Sequence, residues 1–136
     1  MGPVDWLAVI AAALSALGVA ALWYGPLLGR AKLEEVGPGG LAARRHPART
    51  LGITLALLLL SAAMIGHMFA RLDPATLAAK PWLYFMMTGG LAAALVIPAL
   101  GISYAHQGLS TRLAWIDSGY WLAAYLAMGA VFWALG

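Results

Sequence analysis

The sequence predicts an all-α integral membrane protein, a four-helix up-down-up-down bundle, and three observations carry that prediction. The chain of 136 residues is 63% hydrophobic and only 10% charged, with a mean hydropathy of +0.86, which is more apolar surface than a soluble domain can hide. Its apolar residues fall into long runs of about 20 residues, the length a helix needs to cross a hydrocarbon core about 30 Å thick. The connections between these runs are short or rich in Gly and Pro, which makes consecutive spans antiparallel neighbours. The expected spans are residues 6–28, 51–70, 81–105 and 113–134, one transmembrane domain over 1–136 with a basic loop at 29–50.

Trp6 to Gly29 carries no charged side chain. No Lys or Arg precedes it, Asp5 stands there instead, and it is too long for the apolar core of a secretory signal, so it reads as a retained span. Pro26 lacks a backbone donor and disfavours a helical Gly25, so the first helix is expected to end or bend there. The second span is interrupted only by His67. In the loop after it, Asp73 is expected to cap a short helix that has Pro74 at its first position and runs through Leu77. Lys80-Pro81 then opens the third span, which Pro98 is expected to kink. Gln107-Gly108 ends that helix, Ser110-Thr111 begins the next, and Asp117 lies near the start of the fourth span.

Arg30, Lys32, Arg44, Arg45, Arg49 and Arg112 fall on one side of this topology, against Arg71 and Lys80 on the other. The positive-inside rule therefore puts the first and third loops in the cytoplasm and both termini on the non-cytoplasmic side of a bacterial inner (plasma) membrane. Trp6, Trp82, Tyr84 and Trp133 are expected as an aromatic belt at the outer interface. Trp23, Tyr24, Tyr104, Trp115 and Tyr120 are expected to mark the inner one. Stripes of small residues predict close helix packing: Ala8, Ala12, Ala16 and Ala20; Gly89, Gly90, Ala93, Ala94 and Gly101; Gly119, Ala123, Ala127 and Ala130. Packing inside one bundle is the favoured use of these stripes, ahead of a homo-oligomeric interface.

Several chemistries are excluded. Without cysteine there is no disulfide, thiolate metal site or thiol nucleophile. No nucleophile elbow, zinc-protease motif, P-loop or dinucleotide fingerprint occurs, and Ser15, Ser61 and Thr88 have no evident base beside them, so no enzyme is expected. Small multidrug exporters place a carboxylate deep in the first helix, where this chain offers only Ser15. Met64, His67 and Met68 share a helical face, with Met86 and Met87 at similar depth, a set that suits copper(I). Methionine as apolar filler explains the set better, so no metal and no cofactor is expected. The partners expected are the lipid bilayer and a homo-oligomer or larger membrane complex, with no nucleic acid.

The candidate polar cluster comprises Trp23, Tyr24, Arg30, Ser103, Tyr104, His106, Asp117 and Tyr120, all at the ends of spans that should share one side of the membrane. An acid inside a span is costly and marks a functional position by default. Its nearness to the loop gives Asp117 a second reading, as a helix-start acid or the partner of Arg112, Arg30 or His106. Contact of Tyr24 or Arg30 with Asp117 is expected to lock the first helix to the fourth.

The run Ala21 to Arg30, above all Trp23-Tyr24-Gly25-Pro26, resembles the bacterial membrane family called domain of unknown function 1761. Ile116 to Tyr120 and Met128-Gly129-Ala130 support the resemblance, which covers essentially the whole chain. The chain departs from the family pattern at Asp117, where Asn is expected in many relatives, and in its basic, Gly-rich first loop. The resemblance implies a four-helix membrane fold and no established activity. The function expected is that of a non-enzymatic interaction, accessory or homo-oligomeric packing module; the alternative is a small transporter or channel with its site at the cytoplasmic ends of helices 1, 3 and 4.

Overall fold

The computed structural model describes residues 4–27 and 47–135. Much of the expected basic loop, with Arg30, Lys32, Arg44 and Arg45, lies outside the described residues. Among the described residues there is no strand, and four helical stretches are long and apolar enough to cross a membrane: Trp6–Gly25, Ala48–Ala70, Trp82–His106 and Thr111–Leu135. The elements in chain order are α1 (Trp6–Leu22) with a wide turn at Trp23–Leu27, α2 (Pro47–Ala70), α3 (Pro74–Ala79), α4 (Trp82–Leu91), a second wide turn at Ala92–Val96, α5 (Ile97–His106) and α6 (Thr111–Leu135).

Local chemistry sets most of the helix ends. Asp5 caps α1, its carboxylate accepting from the Ala8 amide at 3.1 Å. Asp73 caps α3 through the Ala75 amide at 3.1 Å with Pro74 as the first helical residue, as expected, and the helix runs on to Ala79. Ser110, not Asp117, starts α6: its hydroxyl accepts from the Leu113 amide at 3.0 Å. Gly108 adopts φ +68° between α5 and α6, a left-handed conformation that a side chain would disfavour. The second span begins earlier than expected, at Pro47 rather than residue 51, because Pro47 tolerates the amide-free first turn of a helix.

A widened turn accompanies each proline inside a span. Pro26 has no backbone N–H to donate to the preceding turn. The helix therefore does not stop at Gly25 but relaxes into π-type geometry over Trp23–Leu27. Pro98 differs in place: it follows the second wide turn, Ala92–Val96, by two residues and lies in the first turn of α5.

The spans pack in the spatial order second, first, fourth, third. The most extensive packing is α1 on α6, followed by α1 on α2 and α4 on α6. Sequential neighbours hold for the two hairpins, whereas spans two and three do not pack extensively on each other. One contact that joins them is Phe69 against Tyr84, ring centroids 4.8 Å apart, with Phe132 5.5 Å from Phe69.

In a bilayer, apolar side chains gain little by leaving lipid, so close packing and polar contacts must hold the helices together. The small residues of α1 serve this purpose: Ala8, Ala12 and Ala16 are fully buried, with Ala13 beside them. The other stripes behave differently. On α6 Tyr120, Ala124, Met128 and Phe132 are buried, whereas the expected Gly119, Ala123, Ala127 and Ala130 are half-buried. On the third span Gly90, Ala93, Ala94 and Gly101 are exposed, and Tyr84, Thr88 and Ala92 are buried instead. Two expected belt residues also belong to the core: Tyr84 is 8% exposed and Tyr120 4%, while Trp6, Trp82, Trp115 and Trp133 remain more than half exposed.

Gly129 shows how tight the α4–α6 contact is. A Cβ there would meet the Thr88 hydroxyl and lie 2.9 Å from the Tyr84 carbonyl oxygen. Thr88 cannot turn away cheaply, since its hydroxyl donates to that same carbonyl at 2.8 Å. Gly129→Ala is therefore expected to destabilise the protein by about 1–3 kcal/mol through overpacking. Gly90→Ala, in open space, is expected to leave the melting temperature in detergent unchanged or slightly raised, and the pair of thermal melts checks both.

Candidate functional site

Asp117 is the seventh residue of α6, roughly 9 Å along the helix from its first residue at 1.5 Å per residue, and is only 3% exposed. A carboxylate so placed must be met by donors, since taking it out of water costs several kcal/mol. Two tyrosines meet it. The Tyr24 hydroxyl donates to Oδ1 at 2.6 Å, and the Tyr104 hydroxyl donates to Oδ2 in a short contact. Tyr24 comes from the end of the first span and Tyr104 from the end of the third, so one side chain of the fourth span joins three helices.

The surrounding groups hold this arrangement. Trp23 donates its indole N–H to the Ile116 carbonyl at 2.9 Å and lies against Gly119, where a Cβ would stand 2.6 Å from the ring. The wide turn at Trp23–Leu27 presents Trp23 and Tyr24, consecutive residues, to the same stretch of α6. One helical turn deeper, the Tyr120 hydroxyl donates to the Ala16 carbonyl at 3.2 Å, and its ring lies 5.3 Å from that of Tyr24. Among the described residues no buried side-chain polar atom lacks a partner. Chemically the site is a carboxyl group fixed by two hydroxyl donors from two other spans.

Of the candidate cluster, the structure brings together Trp23, Tyr24, Tyr104, Asp117 and Tyr120. Ser103 and His106 stay exposed on α5, and Arg30 lies outside the described residues. The expected contact between Tyr24 and Asp117 is made. The helix-start reading of Asp117 gives way, since Ser110 fills that role and Asp117 is buried two turns later. Sequence reasoning missed that Gly119 seats an indole ring; its place in a small-residue stripe marked it only as a helix contact. It also missed the carbonyls of Ala16 and Ile116 as acceptors, and main-chain acceptors leave no trace in residue type.

The methionine and histidine set does not converge. A shallow groove on α2 is lined by Leu60, Ala63, Met64, His67, Met68 and Arg71, and neither Met86 nor Met87 lines it. His67 Nδ1 lies 2.9 Å from the Ala63 carbonyl, with its ring edge-on to Trp6 at 6.0 Å. Among the described residues no group of three or more His, Cys, Asp or Glu could hold a metal ion.

The fold and this centre define a multi-pass, four-helix membrane protein with a tyrosine-held carboxylate inside one span. The family model described as "Protein of unknown function (DUF1761)" matches residues 7–133, and the chain belongs to that family. Neither a curated protein nor a solved structure gives a significant match.

If the carboxylate couples the spans, deleting its donors has a measurable non-additive cost. A double-mutant cycle of Tyr24→Phe and Asp117→Asn is expected to give a coupling energy of about 1 kcal/mol in thermal stability, and Tyr104→Phe with Asp117→Asn a similar value. Additive losses in both cycles contradict the arrangement.

Proposed function

We propose that the protein is a non-enzymatic packing and interaction module of the membrane, acting by association with further copies of itself or with a larger membrane complex. The observation that carries this reading is how unevenly the spans are used. In an apolar 18-residue stretch of each, 39% of the residues are buried in the fourth span and only 11% in the third, with no buried residue in α5. The polar groups of the Asp117 centre are engaged in joining helices, which supports a structural role for them. The outward flank of the third span is left to meet lipid or protein, and Gly90 and Gly101 there have open space around them that permits close approach of another helix. The charge distribution of the loops supports a plasma-membrane orientation with both termini outside.

A second reading, a small transporter or channel, is favoured by one observation, the carboxylate of Asp117 buried within a span. The two readings diverge in experiment. Native mass spectrometry from membranes under mild detergent is expected to show a species larger than the monomer. Gly90→Leu with Gly101→Leu is expected to dissociate it without lowering the melting temperature, because neither glycine is packed against another of the described residues. A monomer for both proteins, together with a cation or proton flux in liposomes that Asp117→Asn abolishes, replaces this proposal by the transport reading. A reporter fused at Gly136 is expected to be active only outside the cytoplasm; cytoplasmic activity overturns the orientation.

A further inference from the structure

At the end of the bundle opposite Asp117 lies a cavity of about 480 Å³ that the Asp117 centre does not use. It is walled by the start of the first span, the end of the second, α3, the start of the third and the end of the fourth. This volume lies within the range of small-molecule sites, roughly 300–1,000 Å³. Phe69, Tyr84 and Phe132 give it a buried aromatic wall, Leu77 of α3 is buried beside them, and Trp133, more than half exposed, also lines it. Two polar groups interrupt this apolar lining. One is Tyr84, a residue 8% exposed that lines the cavity. The other is Asp5, the one charged side chain among the described residues of the lining, whose Oδ1 accepts from the Ala8 amide.

We propose that this cavity is a binding site for a substituted ammonium ion with an apolar body. Each part of the wall fits one part of such a molecule. Aromatic faces attract a cation through their quadrupoles, most strongly where water is excluded, and they pack equally well against its alkyl or aryl groups. The Asp5 carboxylate supplies the counter-charge at the exposed rim, and Tyr84 adds a phenol to the lining. An anion is disfavoured by Asp5, and a metal ion has a single carboxylate here. Exposed Trp6, Trp82 and Trp133 at this end of the bundle put the cavity at the depth of an aromatic belt, where amphiphilic cations accumulate. The same chemistry reaches this depth from two sources, a free lipophilic amine or the ammonium of a lipid headgroup.

The test uses the full chain in nanodiscs and benzyltrimethylammonium as the probe, with its uncharged carbon isostere neopentylbenzene as competitor. Binding is measured by equilibrium dialysis and corrected with empty nanodiscs. Saturable binding is expected. Asp5→Asn is expected to weaken it about tenfold while keeping the helix cap, since Asn caps as well as Asp. Ala78→Trp, which fills the cavity from exposed α3, is expected to abolish it. Equal affinity in phosphatidylglycerol discs and in discs containing phosphatidylcholine identifies a free amine as the occupant. Weaker apparent affinity in the choline lipid, for the unsubstituted protein but not for Asp5→Asn, identifies the lipid headgroup. Absence of saturable binding, an Asp5→Asn affinity equal to that of the parent, or equal competition by neopentylbenzene overturns the proposal.

Discussion

A single carboxylate inside a helix bundle determines what its neighbours must be. Asp117 sits in α6 with both oxygens turned inward, and a charge there is stable only if donors reach it from other helices. Tyrosine is well suited to reach it, because its long, rigid, apolar ring spans the gap between helices and its hydroxyl ends on the oxygen. Tyr24 and Tyr104 approach from opposite hairpins, so the carboxylate joins the two halves of the molecule. Much of what distinguishes this end of the protein serves that junction. Pro26 opens the helix so that Trp23 and Tyr24 both face α6, and Gly119 leaves room for the indole.

The remainder of the bundle depends on small residues, because lipid offers apolar side chains an environment as favourable as the core. Buried alanines on α1 let α2 and α6 approach on two sides, making the first span the centre of the packing. Gly129 does the same between α4 and α6, where the Thr88 hydroxyl turns back onto its own helix rather than bridging to the other. The third span is the peripheral element, held by Tyr84 and Thr88 at one end and by Tyr104 at the other, with its outer flank uncovered. These contacts leave the two ends of the molecule chemically different. One end is closed by charge-assisted hydrogen bonds, and the other encloses an aromatic cavity beneath α3.

The fold was largely readable from the sequence because span length and hydropathy are properties of whole segments, insensitive to single contacts. Local caps were readable for the same kind of reason: Asp73-Pro74 and Ser110-Thr111 act within their own turn. The Tyr24–Asp117 contact was also accessible, since Pro26 and an even number of spans put both residues at the same end of the bundle. What could not be read was rotation about the helix axes. The hydrophobicity of α6 is nearly uniform around its circumference, so nothing in the pattern distinguished Tyr120, Ala124 and Met128 from the face one position away. For the same reason Tyr84 and Tyr120 were expected at interfaces and proved to be core residues. Side-chain type announces depth in the bilayer more clearly than it announces direction.

The claim that one aspartate joins the first and third spans to the fourth is tested most directly by solid-state NMR of the protein in lipid bilayers, labelled at the aspartate carboxyl carbon and the tyrosine ring carbon bearing the hydroxyl. With Asp5, Asp73 and Asp117 as the only aspartates, the spectrum is simple enough to assign by substitution. One carboxyl resonance, absent in Asp117→Asn, is expected to correlate with two tyrosine resonances. One correlation is lost in Tyr24→Phe and the other in Tyr104→Phe. An Asp117 carboxyl that correlates with neither tyrosine, and instead exchanges magnetisation with water or lipid, contradicts the account.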